Sequence, residues 1–118
     1  MSKTVLIVDD HPSFRGMARA LLESEGFVVV GEAADGTSAL EQARTLRPDI
    51  VLLDVQLPDF DGFEVASRLT AMNGTSPDIV LTSSRDAGEF GSLVKDSGAR
   101  GFVPKADISA EAIAALLP

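Results

Sequence analysis

Cysteine is absent from the 118 residues, which excludes a disulfide framework, a thiolate metal site and a cysteine nucleophile, and agrees with a reducing cytoplasm. Tryptophan and tyrosine are also absent, and six phenylalanines supply all the aromatic area. No stacking platform for bases or sugars is therefore expected. Long hydrophobic runs are missing too. The first apolar stretch, Thr4 to Val8, ends in two aspartates and is too short for a signal-peptide core or a membrane span. Positive charge is scarce: eighteen acidic residues face ten basic ones, a net charge of -8. That balance repels nucleic acid and favours a cationic ligand or a basic partner patch. The expectation is a soluble, cytoplasmic chain with no membrane contact and no direct nucleic-acid binding.

What is present is a regular alternation. Short β-branched runs recur at Thr4 to Val8, Phe27 to Gly31, Ile50 to Asp54, Ile79 to Ser83 and Gly101 to Pro104. VLIV, IVLL and IVL are continuously apolar, as strands buried on both faces of a parallel sheet must be. Helical spacing fills the intervals: Phe14, Met17, Ala18, Leu21 and Leu22; Ala39, Leu40, Ala43 and Leu46; Phe63, Val65, Ala66, Leu69 and Met72; Phe90, Leu93 and Val94; Ile113, Leu116 and Leu117. Stops stand at Gly26, Pro48, Asn73-Gly74 and Gly98. Right-handed crossovers then place five helices on both faces of a five-stranded parallel sheet, an α/β three-layer sandwich. A length of 118 residues fits one domain over 1–118, with any effector domain outside this chain.

In such a sheet, ligands gather beyond the carboxyl ends of the strands. Strand one runs into Asp9-Asp10 and strand three into Asp54. Either aspartate of the pair, taken alone, is explained as a cap for the helix beginning near Pro12. Asp54 is harder to explain that way, because it closes a buried apolar run where an apolar residue would cost less desolvation. Three carboxylates together require a cation. Oxygen ligands without cysteine select a hard one, magnesium or manganese rather than zinc. Magnesium keeps waters and phosphate oxygens in its shell, so a phosphoryl group is expected beside it. A lysine and a hydroxyl would complete such a site: Lys105 follows strand five, and Thr82 with Ser83 closes strand four. Taken singly, a lysine there is a surface charge and a hydroxyl there a turn residue. As a set they balance, since three carboxylates, a divalent cation and one lysine sum to zero charge.

The segments VLIVDDHP, DIVLLDVQLPDFDGFEV, IVLTSSRD and GARGFVPK follow one another along the whole chain, and in them the sequence resembles the receiver domains of bacterial response regulators. The DDHP start is typical of the branch that carries a C-terminal helix-turn-helix. The resemblance implies a flavodoxin-like sheet order 2-1-3-4-5. It implies Asp54 as phospho-acceptor, Asp10 and Asp54 as direct magnesium ligands, Asp9 as a ligand through water, and the Gln56 backbone carbonyl as a further ligand. Lys105 is implied as the partner of the phosphoryl oxygens. Counting back from Gly98 without a gap puts Ser83 rather than Thr82 at the switch hydroxyl, with Ser84 at the small residue after it. Phe102 falls at the aromatic that swings inward in active relatives, although a core phenylalanine would look the same. Pro104-Lys105-Ala106 departs from the lysine-proline order of many relatives, so their cis-proline turn is not expected. His11, the single histidine, reads as a loop or capping residue.

The mechanism implied is transfer from a sensor histidine kinase or phosphotransfer protein to Asp54, followed by hydrolysis through the same site, with Gln56 and Arg85 flanking the line of attack. Output would pass through the face of the fourth helix, fifth strand and fifth helix, near Phe90, Ser92, Lys95 and Ile113, to an effector domain or protein, with a homodimer as one form. The chain would then be no enzyme beyond its own phosphorylation and dephosphorylation. A magnesium-dependent phosphohydrolase needs a second aspartate two residues after the nucleophile, and that position is Gln56. A flavodoxin-like nucleotide or flavin carrier needs a phosphate cradle after strand one, where Asp9-Asp10 repel it. A pseudo-receiver that only docks partners is the remaining alternative.

Overall fold

Continuously apolar segments need burial on both sides, and the chain meets that need with a central parallel sheet. The computed structural model describes residues 2–72, 76–85, 88 and 90–118. Its strands are β1 (Thr4–Val8), β2 (Val28–Ala33), β3 (Ile50–Asp54), β4 (Asp78–Ser83) and β5 (Gly101–Pro104), in the order β2-β1-β3-β4-β5. All neighbouring pairs are parallel. Helices α1 (Pro12–Ser24), α2 (Gly36–Leu46), α3 (Gly62–Thr70), α4 (Leu93–Asp96) and α5 (Ala110–Ala114) supply the crossovers. The order and the five-helix count match expectation.

Alternation along the strands divides the core into two layers. Leu6, Val8, Val51, Leu53, Ile79 and Leu81 pack with Ala39 and Ala43 of α2 and with Val65, Ala66 and Leu69 of α3. Val5, Ile7, Ile50, Leu52, Val80 and Val103 face Ala18 and Leu22 of α1 and Ile113 of α5. Burying each such aliphatic side chain stabilises the fold by roughly 1.5 to 3 kcal/mol.

Several boundaries differ from the sequence reading. β2 runs to Ala33 rather than stopping at Gly31, because a register shift at Val5/Leu6 lets Gly31, Glu32 and Ala33 pair with Leu6, Ile7 and Val8. β4 begins at Asp78. α4 is a single turn that leaves Phe90 outside it, and α5 ends before Leu116 and Leu117, which still pack on the α1 side of the sheet. Gly26 and Gly98 take φ of 93° and 86°, as expected at chain reversals that a side chain would strain. The expected stop at Asn73-Gly74 lies outside the described residues. Ile113 is fully buried and so cannot belong to an output face; Ser92 and Lys95 are exposed. Phe90 packs inward between Phe63 and Phe102, with ring centroids 5.5 and 5.6 Å away. No cis peptide occurs among the described residues.

Candidate functional site

Parallel pairing fixes which strand ends meet. Val8 lies opposite Leu53, so the next residues, Asp9 and Asp54, emerge side by side, and Asp54 in turn lies opposite Thr82. Val8 and Leu53 belong to the α2-α3 layer, so alternation turns Asp9, Asp54 and Thr82 toward α1 and α5. Val103 faces that same side, and Lys105, two residues later, follows it. One sheet edge thus gathers two strand-terminal acids and one lysine.

Their contacts are short. The Lys105 Nζ lies 2.6 Å from Asp9 Oδ2 and 3.1 Å from Asp54 Oδ2. The Lys105 side chain is 17% exposed, and both partner carboxylates are buried. The same ammonium sits 4.6 Å from the centre of the Phe14 ring on α1, an apolar wall that favours the cation. Asp54 Oδ1 accepts the Gln56 amide N–H at 3.0 Å. Asp9 Oδ1 accepts the His11 amide N–H at 2.8 Å and lies 3.0 Å from His11 Nδ1, which is also 3.1 Å from Asp10 Oδ1. Asp9 and Asp10 therefore do not cap α1: the N-cap position is His11, without a side-chain cap bond. Asp10 remains partly open to solvent, with 38% of its side chain exposed.

This geometry separates the three titrating groups. Burial pushes the Asp9 carboxyl up, but Lys105 and the bonds from His11 outweigh it and leave it below its ordinary value. Asp54 is held above its ordinary value, chiefly by burial and secondarily by the Asp9 charge, against the opposing Gln56 N–H and Lys105. Burial pulls Lys105 down, yet the two carboxylates raise it overall. Asp54 is thus the less comfortable anion of the pair and Asp9 the settled one.

The donor set suits a small hard cation. One ligand atom each from Asp9, Asp10, His11 and Asp54 lie within 4.8 Å of one another. Asp9 Oδ2 is buried, and among the described residues its one polar contact is the Lys105 ammonium at 2.6 Å. A buried carboxylate oxygen in that condition has a lone pair free for a metal-bound water. The acidic cluster is compatible with magnesium.

The other predicted positions are placed less completely. Gln56 is exposed, and its backbone pairs with Asp61 in a short antiparallel bridge while the Gly62 amide donates to the Val55 carbonyl at 2.7 Å, closing the loop after Asp54. Ser83 is buried, and alternation sends it to the face opposite Thr82; its Oγ accepts the Arg85 amide N–H at 3.1 Å rather than joining Asp54. Thr82 shares the face of Asp54, and its Oγ1 is buried without a hydrogen bond. Phe102 is half-buried against Phe90.

Sequence reasoning missed Phe14 and Arg15. Arg15 donates from Nη1 to the Asp9 carbonyl at 2.6 Å and from Nε to Glu32 Oε1 at 3.1 Å. The available signal was their place in the first turn of α1, directly after the acidic pair, where a helix turns side chains back over the preceding loop. It missed Asp59 as well. That carboxylate accepts from the Gly36 and Thr37 amides at 2.7 and 3.0 Å and fastens the β3-α3 loop to the start of α2.

Residues 5–117 match the family described as response regulator receiver domain. Among curated proteins, the chain is 40% identical over 105 residues to the virulence-factor regulator BvgA of Bordetella pertussis, covering 89% of this chain and 50% of that protein. It is 36% identical over 115 residues to the response regulator GacA of Pseudomonas viridiflava, covering 95% and 52%. Here the chain spans about half the length of its curated relatives. A two-component response regulator of the LuxR family from Aurantimonas sp. SI85-9A1 superposes with a TM-score of 0.87 at 32% identity, over 98% of this chain and 83% of that one. The chemotaxis response regulator CheY4 of Vibrio cholerae does so with a TM-score of 0.87 at 27% identity, over 99% and 100%.

Proposed function

The chain belongs to the response regulator receiver domain family, and on that premise we propose that it accepts a phosphoryl group on Asp54 from a sensor histidine kinase or phosphotransfer protein. The observation that carries this reading is the bridge from Lys105 to both Asp9 and Asp54, which leaves Asp54 at the strand end as the less stabilised of two buried carboxylates. A carboxylate in that state is the better nucleophile of the two, and attack removes its unfavourable charge.

Asp10 and Asp54 would hold magnesium directly, with Asp9 through water and the Gln56 carbonyl completing the protein ligands. When bound, magnesium would neutralise charge on the transferring phosphoryl oxygens. In transfer, an Asp54 oxygen forms the bond to phosphorus while the bond to the donor histidine nitrogen breaks, and that nitrogen keeps the electron pair. Lys105, already between the acids, turns toward the new phosphoryl oxygens. An acyl phosphate adds about one negative charge to the site, which the Ser83 hydroxyl answers by exchanging its present orientation, in which Oγ accepts from the Arg85 amide, for one in which its O–H donates to a phosphoryl oxygen. That exchange draws the β4 end inward and loosens the ground on which Phe90 and Phe102 pack, so the α4-β5-α5 face is the output surface. Hydrolysis returns the site to its starting state, with Gln56 and Arg85 beside the approaching water.

We read residues 1–118 as one receiver domain acting in the cytoplasm, without membrane or nucleic-acid contact of its own and with no reaction beyond its own phosphoryl transfer. None of its helices is long and apolar enough to cross a membrane among the described residues. Relatives named as transcription regulators and about twice its length support a DNA-binding effector domain as the output partner; a homodimer is one form in which the chain would engage it.

The test is incubation with acetyl phosphate or phosphoramidate and magnesium, read by intact mass, beside Asp54→Asn and a chelated control. A phosphate-sized gain that requires both Asp54 and the metal is expected. No gain with either donor would replace this reading with a pseudo-receiver that only docks partners.

A further inference from the structure

Arg15 is placed where its charge ought to be a problem. It rises from the first turn of α1, a few residues after Asp9 and Asp10, and only 17% of its side chain is exposed. A guanidinium that reaches the main chain of an acidic pair would ordinarily pair with its carboxylates. Instead its Nη1 takes the main-chain carbonyl of Asp9 at 2.6 Å, and its Nε takes Glu32 Oε1 at 3.1 Å. Glu32 stands near the end of β2, level with Ile7. Its other oxygen accepts Arg19 Nε at 2.7 Å, and its own carbonyl accepts Gln42 Nε2 at 2.8 Å, so it is fixed from three sides. Arg19 is answered in turn by Glu23 at 3.6 Å.

We propose that Arg15 and Glu32 are positioning residues for the acidic site: Arg15 fixes the Asp9-Asp10 peptide through the Asp9 carbonyl, and Glu32 holds the guanidinium away from the carboxylates. Charge makes the second role necessary. Asp9, Asp10 and Asp54 with Lys105 leave a charge of -2, which matches a divalent cation. A free Arg15 would reduce it to -1 and compete for the same oxygens. The peptide between Asp9 and Asp10 sets the direction in which both side chains leave the chain, so its carbonyl is an effective point from which to hold the pair.

This inference rests on the reading of the acidic cluster as a cation site. The test is titration of the whole chain with magnesium chloride at constant ionic strength, followed by amide NMR shifts, for the wild type, Glu32→Gln, and Glu32→Gln combined with Arg15→Met; Glu23→Gln controls for loss of one negative charge. Glu32→Gln should weaken magnesium binding about tenfold. The double variant should recover part of that loss, the remainder being the anchor that Arg15 gave the Asp9 carbonyl, and Glu23→Gln should bind as the wild type does. A role confined to holding the fold would lower the melting temperature of both Glu32 variants without this recovery. Wild-type binding by Glu32→Gln, a double variant no better than the single, or an equal loss in Glu23→Gln overturns the inference while leaving the cation site intact. If Glu32→Gln fails to fold, Arg15→Lys takes its place, since an ammonium lacks the rigid fork through which Nη1 and Nε reach the Asp9 carbonyl and Glu32 separately; unchanged affinity there overturns it equally. A wild-type chain that shows no magnesium-dependent shift overturns the cation reading and this inference with it.

Discussion

Replacing Lys105 by methionine keeps most of the aliphatic stem and removes the ammonium that bridges Asp9 and Asp54 and faces the Phe14 ring. The two ion pairs, at 2.6 and 3.1 Å, each correspond to roughly 5 to 6 kcal/mol at an effective dielectric of about 20, before desolvation is subtracted. Desolvation of three groups cancels much of that, and removal of one member of a buried pair costs about 3 to 5 kcal/mol because the surviving charges are left without a partner. Asp54 can relieve part of the cost by taking up a proton, since its carboxyl is already raised. That points to the lower end, about 3 kcal/mol. For a chain of 118 residues the unfolding entropy is about 0.25 kcal/mol per degree, so the metal-free melting temperature should fall by about 12 °C at neutral pH. Magnesium bound at the acidic cluster would supply the missing positive charge. It should therefore raise the melting temperature of Lys105→Met by more than it raises that of the wild type. Thermal unfolding followed by circular dichroism, in chelator and in excess magnesium, reads both quantities. A drop under about 2 °C in chelator, or equal gains from magnesium, would refute the claim that Lys105 is the resting counter-ion of the two acids.

Asp54→Asn should act in the opposite sense. The raised Asp54 carboxyl costs the folded state nothing below its ordinary value of 3.8, and the cost grows as pH rises toward its folded value, so metal-free stability curves of wild type and Asp54→Asn should meet near pH 3.8 and separate above it with the variant more stable; a wild type more stable at neutral pH without metal would contradict this. Burial raises the Asp59 carboxyl, but the amides of Gly36, Thr37 and Phe60 and the Thr37 hydroxyl together outweigh it and push the group down to about 2, so its contribution is present above 3.8 and disappears as pH falls toward 2; Asp59→Ala should lower the melting temperature at neutral pH, and the difference from wild type should vanish in acid. Gly62→Ala should be severe, because the new methyl would meet the Asp54 carbonyl oxygen and come within 2.6 Å of Val55 Cα: a loss of more than about 2 kcal/mol in denaturant unfolding and failure to gain phosphate by intact mass are expected, and a wild-type midpoint would show that the β3-α3 loop yields freely.

How far the sequence could be read follows from which forces are local. The buried runs at Thr4–Val8 and Ile50–Asp54 announce their strands with correct limits, because apolarity on both faces leaves no other accommodation. β2 was misjudged because Gly31-Glu32-Ala33 carries no apolar pattern; its pairing is decided by a register shift in β1, a property of two strands together. The single-turn α4 escaped for a similar reason, since Phe90 obeys a helical spacing yet is drawn out of it by the rings of Phe63 and Phe102. At the site, the sequence offers Asp9, Asp54 and Lys105 at or just after strand ends, and the structure brings those three side chains together. Their relative standing was not legible. That Lys105 sits closer to Asp9 than to Asp54, and that His11 adds two bonds to Asp9, depends on where the loops come to rest.

The same distinction explains why the hydroxyl on β4 is hard to assign from spacing alone. Counting selects Ser83, whereas alternation places the Thr82 side chain on the face of Asp54. The two residues differ in what they already do. Ser83 Oγ accepts from the Arg85 amide, which leaves its O–H free to donate to a charged oxygen, and it lies at the last position of the strand, where backbone motion costs no ladder pairing beyond Pro104. Thr82 Oγ1 is fully buried and held between Asp54 and Val103 in the ladder, so reaching outward would break pairing on both sides. Ser83→Ala should therefore leave phosphate uptake measurable by mass while abolishing the accompanying amide shifts around Phe90 and Phe102, whereas Thr82→Val, which fills the same volume and removes an unsatisfied hydroxyl, should raise the melting temperature and keep those shifts. Loss of the shifts in Thr82→Val, with Ser83→Ala unaffected, would reverse the assignment.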